Sequence, residues 1–196
     1  MMYPNSNWGY KTVPQKYVDN RELDYSRGKG LGGSTIINIC AYTVGPKDDY
    51  DRWAEEVGDN AFNWENAVRM RKNIESFDRD LSDMNRKYAD PDMATHGEHG
   101  PVRIEYPKVW ETPMTMQLDA AKEAGLGSNL DINNGNPLGL ASVPSTARNG
   151  RRMTAAVAYL SDAPGNPTIT SDAQVTSILF EGDKAVGVVA NGTECE

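Results

Sequence analysis

The nine residues Arg27-Gly28-Lys29-Gly30-Leu31-Gly32-Gly33-Ser34-Thr35 constrain this chain more than any other stretch. Glycine loses more conformational freedom on folding than any other residue. A cluster of it therefore marks backbone that must take a positive φ or approach another group closely. Arg27, Lys29, Ser34 and Thr35 stand among the glycines. Exposed backbone N–H groups beside hydroxyls and cations suit a pyrophosphate or another anion. Two motif readings fail on context. Gly28-x-Gly30-x-x-Gly33 matches the dinucleotide fingerprint, and Asp48 or Asp49 lies near the spacing of its ribose carboxylate. That fingerprint, however, follows a buried strand and opens a helix. Here Glu22-Leu23-Asp24-Tyr25-Ser26-Arg27 precedes it, too polar for a central strand, and the β-branched run Ile36-Ile37-Asn38-Ile39-Cys40 follows. A Walker loop needs Gly-Lys-Ser/Thr at its end, and Gly33-Ser34 lacks the lysine. A glycine-rich surface turn is the plainer alternative. The residues alone reach a loop that contacts an anion or a cofactor, and stop there.

Charge and composition narrow the field. With 20 basic and 28 acidic side chains the net charge is −8. That balance argues against nucleic acid, whose binding rests on Lys and Arg neutralising phosphates. No apolar run approaches the roughly 20 residues a membrane helix needs. The stretch Ala155-Ala156-Val157-Ala158-Tyr159-Leu160 is far too short. Cys40 and Cys195 cannot build a disulfide framework and read as buried or idle thiols. The opening residues have neither the basic nor the apolar region of a signal peptide.

The rest of the chain reads as alternating helices, short strands and loops. Residues 1–26 are irregular and form a lid-like segment. Pro46 followed by Asp48, Asp49 and Asp51 reads as a helix start, with Tyr50, Trp53, Ala54 and Val57 on its apolar face and Gly58 as its stop. Asn63 reads as the N-cap of a second helix, whose Trp64, Ala67, Met70, Ile74 and Phe77 recur at core spacing. Residues 78–99 read as a loop. Val102, Ile104 and Tyr106 alternate with polar residues as in a half-buried strand. Thr112-Pro113 opens a helix carrying Leu118, Ala121 and Ala124, which Gly125 or Gly127 closes. Residues 128–150 read as loop or ligand-facing surface. Arg152 to Ser161 has high helix propensity, with Asp162 to Pro167 as its stop. Two strands, Val175 to Phe180 and Ala185 to Val189, flank the turn Glu181-Gly182-Asp183-Lys184. Asn191-Gly192-Thr193 is a glycosylation sequon only in a secreted protein. Arg148, Arg151 and Arg152 read as a salt-bridge set at a helix edge rather than as a ligand contact.

A family resemblance carries further. Gly28-Lys29-Gly30-Leu31-Gly32-Gly33-Ser34-Thr35-Ile36-Ile37-Asn38, continued by Tyr42, Gly45 and Asp51, resembles the first signature of the glucose–methanol–choline (GMC) flavin oxidoreductases. Asn63-Trp64, His96-Gly97 with Gly100-Pro101-Val102, Arg151 with Thr154, Ala155, Tyr159 and Leu160, and Val175 after Thr168-Ile169-Thr170 resemble later segments of the family. The likeness runs from about residue 20 to the end.

The resemblance implies an α/β (α+β) fold: a partial FAD-binding domain with an inserted substrate-binding segment. Residues 27–95 would be the FAD-contacting segment, 96–147 a substrate-domain segment and 148–196 a return to the FAD-binding domain. Gly32, Gly33, Ser34 and Thr35 would line FAD, Asn38 would approach the flavin ring, and Val175 would bond the adenine through its main chain. Some members attach FAD through a histidine just before the position of Asn38. Ile37 stands there, so the FAD is expected to be noncovalent. The implied chemistry is oxidation of a small-molecule alcohol, with a histidine base of near-neutral pKa. No metal is expected, since His96 and His99 have no nearby third ligand. They match a loop position and read as solvated loop residues. The family's N-terminal βαβ unit and its C-terminal catalytic histidine have no counterpart here. The expectation is an internal section of a larger enzyme, inactive alone, or alternatively a truncated non-catalytic remnant or a ligand-binding fragment. Oligomeric state is left open.

Overall fold

The computed structural model describes residues 4–109, 111–161, 165 and 167–195, except for the side chains of Pro4, Glu194 and Cys195. The expected helix stop at Asp162 to Pro167 lies largely outside the described residues. The chain divides into two units, Met1–Ser161 and Asp162–Glu196.

In the first unit the local punctuation sets the helices. Pro46 stands before α1 (Lys47–Val57), Asp48 and Asp49 occupy its first turn, and Gly58 ends it at φ 69°. The Asn63 side chain accepts the Asn66 N–H and caps α2 (Trp64–Ile74). Helix α2 then passes without a loop into β1 (Glu75–Phe77), because Glu75 already has extended backbone. Strand β1 pairs in parallel with β2 (Val102–Ile104), Glu75 opposite Val102 and Phe77 opposite Ile104. The crossover between them contains α3 (Asp83–Tyr88), capped by Ser82, within a segment whose sequence reads as loop.

The crossover returns over the end of α2 at a distance that admits no side chain. A Cβ on Gly97 would meet the Lys72 carbonyl oxygen at 2.3 Å, and one on Gly100 the Ile74 carbonyl carbon at 2.1 Å. Helix α4 (Thr112–Glu123) has Pro113 in its first turn, and Gly125 follows it at φ 80°. A long connection leads to the two-residue strands β3 (Ala147–Arg148) and β4 (Arg151–Arg152), an antiparallel hairpin that feeds α5 (Ala155–Leu160).

The apolar core of this unit is small. Phe77, Ala89, Ile104 and Tyr106 are buried, with Tyr42, Leu81, Met93 and Val102 packed around them. Polar side chains fill much of the remaining interior: Arg71, Glu75, Asn85, His96, Glu105, Asp131 and Asn133 are all buried. Two expectations fail here. Met70 and Ile74 are 60% and 45% exposed, so periodicity in α2 marks an apolar face but not a covered one. Phe77 lies beyond the helix end, in β1. Likewise, on α1 only Ala54 is buried, while Trp53 and Val57 are about half exposed.

The opening segment pairs with itself despite its irregular sequence. Asn7, Lys11 and Gln15 bridge Gly28, Asp24 and Arg21 in antiparallel fashion. Asp19 and Asn20, at φ 60° and 53°, turn the ribbon at its tip.

The second unit is an antiparallel meander of β5 (Val175–Glu181), β6 (Lys184–Ala190) and β7 (Thr193–Cys195). The first turn is the expected one, with Glu181 opposite Lys184. The second, at Asn191-Gly192, takes positive φ at both residues, which suits a two-residue hairpin. The sequon therefore sits in a hairpin turn, and β7 is a strand that the sequence reading lacks. No described helix is long and apolar enough to cross a membrane.

Candidate functional site

The glycine loop is fastened on one side and open on the other. Gly30, Gly32 and Gly33 have φ of 145°, 97° and 56°, so all three glycines hold positive φ. The loop closes on itself at Gly28: a Cβ there would meet the Gly33 carbonyl oxygen at 2.2 Å. The Gly28 N–H donates to Ser34 Oγ at 3.1 Å. Residues Gly33–Ile36 then form a single 3-10 turn.

Thr35 secures the loop to α5. Its hydroxyl donates to the Gly32 carbonyl, and Oγ1 accepts the Ala155 N–H at 3.0 Å. Gly32 passes so close that a Cβ would lie 3.3 Å from the Ala156 nitrogen. Arg152 adds a second fastening: Nη1 donates to the Thr35 carbonyl at 3.2 Å and to Asn38 Oδ1 at 2.5 Å. The opposite side is free. Gly33, Ser34 and Asn38 are exposed, and nothing lies within 4 Å of a Cβ built on Gly33.

Beside this loop is a cavity of about 440 Å³ whose walls include Cys40, Glu105, Lys108, Ser145 and Arg152. The Glu105 carboxylate is committed to the hairpin turn, accepting the Asn149 and Gly150 N–H groups at 2.8 and 3.0 Å. Cys40 is a free thiol of intermediate exposure.

Of the expected cofactor-lining residues, Gly32, Gly33, Ser34, Thr35 and Asn38 thus fall together on one loop. Thr35 is the exception in role, since its hydroxyl faces the protein and is fully engaged there. Val175 lies in the second unit, about half exposed on β5. Strand β5 is at the sheet edge, so part of its main chain faces away from β6.

A flat cofactor placed on the loop would meet backbone unhindered by side chains, one hydroxyl and one amide. The positive-φ glycines and the open space over Gly33 fit FAD on this loop. Among the described residues no group of His, Cys, Asp and Glu is arranged to hold a metal ion.

The two histidines separate. His99 is exposed as expected, but His96 is only 1% exposed, which overturns its reading as a solvated loop residue. Nδ1 lies 3.0 Å from Glu75 Oε1, and Nε2 3.1 Å from Asp131 Oδ2. Burial works against a charge on His96, but Asp131 and Glu75 outweigh it and hold the pKa above its ordinary value. Burial likewise pushes Asp131 upward, yet the His96 ring and the Asn133 and Asp92 N–H groups bring its carboxyl below the usual range. Arg71 lies 3.9 Å from Glu75 and donates to the Asn133 carbonyl at 3.0 Å.

Sequence reasoning misses Arg152 and this buried cluster. Arg148, Arg151 and Arg152 lie on a hairpin, not a helix edge, and make no salt bridge among the described residues. Partners of His96 lie 21 and 35 residues away in the chain, beyond any local pattern. The clustered arginines are a visible signal, though one that an ordinary surface also produces.

Comparison with known proteins gives one consistent answer. A family model described as GMC oxidoreductase matches residues 12–196. An oxygen-dependent choline dehydrogenase of Pseudomonas savastanoi pv. phaseolicola is 34% identical over 186 residues, 93% of this chain and 31% of that protein. Pyranose dehydrogenase 2 of Leucoagaricus meleagris is 32% identical over 91% of this chain and 30% of its own length. Among solved structures, an FAD-dependent oxidoreductase from Chaetomium thermophilum is similar at TM-score 0.84 and 27% identity, over 97% of this chain and 34% of that one. The chain spans about a third of the length of the curated relatives it matches.

Proposed function

The chain belongs to the GMC oxidoreductases, and from that membership we propose that it supplies the FAD-facing portion of an enzyme that oxidises a small-molecule alcohol at its CH–OH carbon. When bound here, FAD would supply the hydride acceptor. Everything else falls to the chain's own groups. Gly32 and Gly33 bring bare backbone up to the cofactor, Ser34 offers a hydroxyl, and Asn38 offers an amide at the ring. Thr35 serves from behind by holding the loop to α5. Val175 bonds the adenine through its main chain.

The observation that carries this reading is the loop's asymmetry: fastened through Thr35 and Arg152, open at Gly33, Ser34 and Asn38. A ligand-facing surface held rigid from behind costs little ordering on binding. The cofactor is held without a covalent bond, because Ile37 offers no nucleophile where some members carry histidine.

Neither histidine serves as the base that takes the hydroxyl proton. Both ring nitrogens of His96 face carboxylates inside the protein. His99 lies on an exposed loop, outside the residues around the glycine loop. The chain is therefore expected to bind FAD without turning over an alcohol. Titration of FAD with the purified chain, followed by flavin fluorescence, tests this. Saturable quenching without turnover is expected. Absence of quenching, or turnover of an alcohol by the chain alone, sinks the reading.

A further inference from the structure

We infer that Arg152 is a positioning residue, one that turns the Asn38 amide into a fixed and polarised N–H donor aimed at the acceptor atoms of the flavin ring. The inference rests on the FAD reading above and adds to it a residue and a direction of hydrogen bonding.

The geometry is one-sided. Asn38 Oδ1 accepts from two donors, the Cys40 N–H at 3.3 Å and Arg152 Nη1 at 2.5 Å. Neither partner can accept a hydrogen bond at those atoms, so the orientation of the amide is chemically forced. Its Nδ2 is left as the group that Asn38 presents outward, and it donates no hydrogen bond among the described residues. Asn38 itself is exposed, on the open side of the loop.

The charge behind the amide is uncompensated. Arg152 makes no salt bridge among the described residues, and its Nη1 donates to both the Asn38 amide and the Thr35 carbonyl. A cation bonded to an amide oxygen polarises the amide and strengthens its N–H as a donor. The flavin ring gains electron density on its acceptor atoms when reduced, so such a donor favours the reduced form. Arg152 thereby links the hairpin β3–β4 to the loop across 114 residues of sequence.

The test uses the full chain and three variants. Arg152→Met removes the cation and keeps the stem, Arg152→Lys keeps the charge, and Asn38→Asp keeps both accepting contacts while removing the donor. The first readout is the side-chain amide signal of Asn38 by NMR without FAD. It is expected to move to the position of a free amide in Arg152→Met. The second is the midpoint potential of bound FAD, expected to be lower in Arg152→Met than in wild type and partly restored in Arg152→Lys. Asn38→Asp changes an exposed residue, so folding does not obscure it. Its FAD affinity is expected to fall about tenfold, the size of one hydrogen bond.

An unmoved amide signal in Arg152→Met, an unchanged potential, or wild-type affinity in Asn38→Asp overturns the inference. Wild-type chain that binds no FAD overturns the reading beneath it, and is told apart because the wild type itself is then silent.

Discussion

His96 Nδ1 lies 3.0 Å from Glu75 Oε1, with the opposite ring nitrogen held 3.1 Å from Asp131 Oδ2. A neutral imidazole carries one N–H, so it would turn a lone pair toward one of the two carboxylates. The arrangement therefore needs the imidazolium, buried and doubly donating. It joins β1, the crossover and the segment around Asp131. Asn133 extends it, accepting the Val44 N–H at 3.0 Å and donating to the Tyr42 carbonyl at 3.1 Å. The network thus ties the buried cluster to the Tyr42–Val44 segment.

Stability should depend on pH with a definite sign. His96 is raised in the fold, so its contribution is full below its unfolded value of about 6.5 and is lost as pH rises through the folded value. Asp131 is depressed, so its contribution is full above about 3.9 and is lost as pH falls through the folded value. Urea unfolding across this range should show both limbs. His96→Gln should flatten the alkaline limb and lower stability by about 3 kcal/mol, the scale of a broken buried pair. An alkaline limb unchanged in that variant would contradict the imidazolium.

Gly97 and Gly127 should respond oppositely to alanine. At Gly97 the new Cβ meets the Lys72 carbonyl oxygen at 2.3 Å, which is backbone and cannot swing away. A loss of about 2 kcal/mol or more is expected. At Gly127 nothing lies within 4 Å, and the change should stay within about 0.5 kcal/mol. Equal melting temperatures for the two variants would contradict the packing described here.

Thr35→Val keeps the side chain's shape and removes the acceptor for the Ala155 N–H. Loss of that hydrogen bond should weaken the junction by about 1 kcal/mol. Hydrogen exchange at the Ala155 amide should quicken about fivefold, and Thr35→Ser should restore protection. Protection unaltered in Thr35→Val would detach the loop from α5.

What the sequence reveals is what local chemistry decides. Asn63 as a cap, Gly58 as a stop and Gly182-Asp183 as a hairpin turn all act within a few residues. The glycine loop is equally legible, since its glycines need positive φ wherever the chain runs. Burial is less so: Met70 has core spacing yet is exposed, while His96 sits in a polar stretch yet is buried. Both outcomes depend on partners distant in sequence. The role of Arg152 is hidden for the same reason, because its partner Asn38 stands 114 residues earlier.

Hydrogen exchange of the purified chain with and without FAD tests the role of the glycine loop most directly. Backbone amides across residues 30–38 should gain protection on adding FAD, and the flavin should leave the chain on acid denaturation. Unchanged exchange across residues 30–38 at saturating FAD, or flavin retained by the denatured chain, would contradict a noncovalent site on this loop.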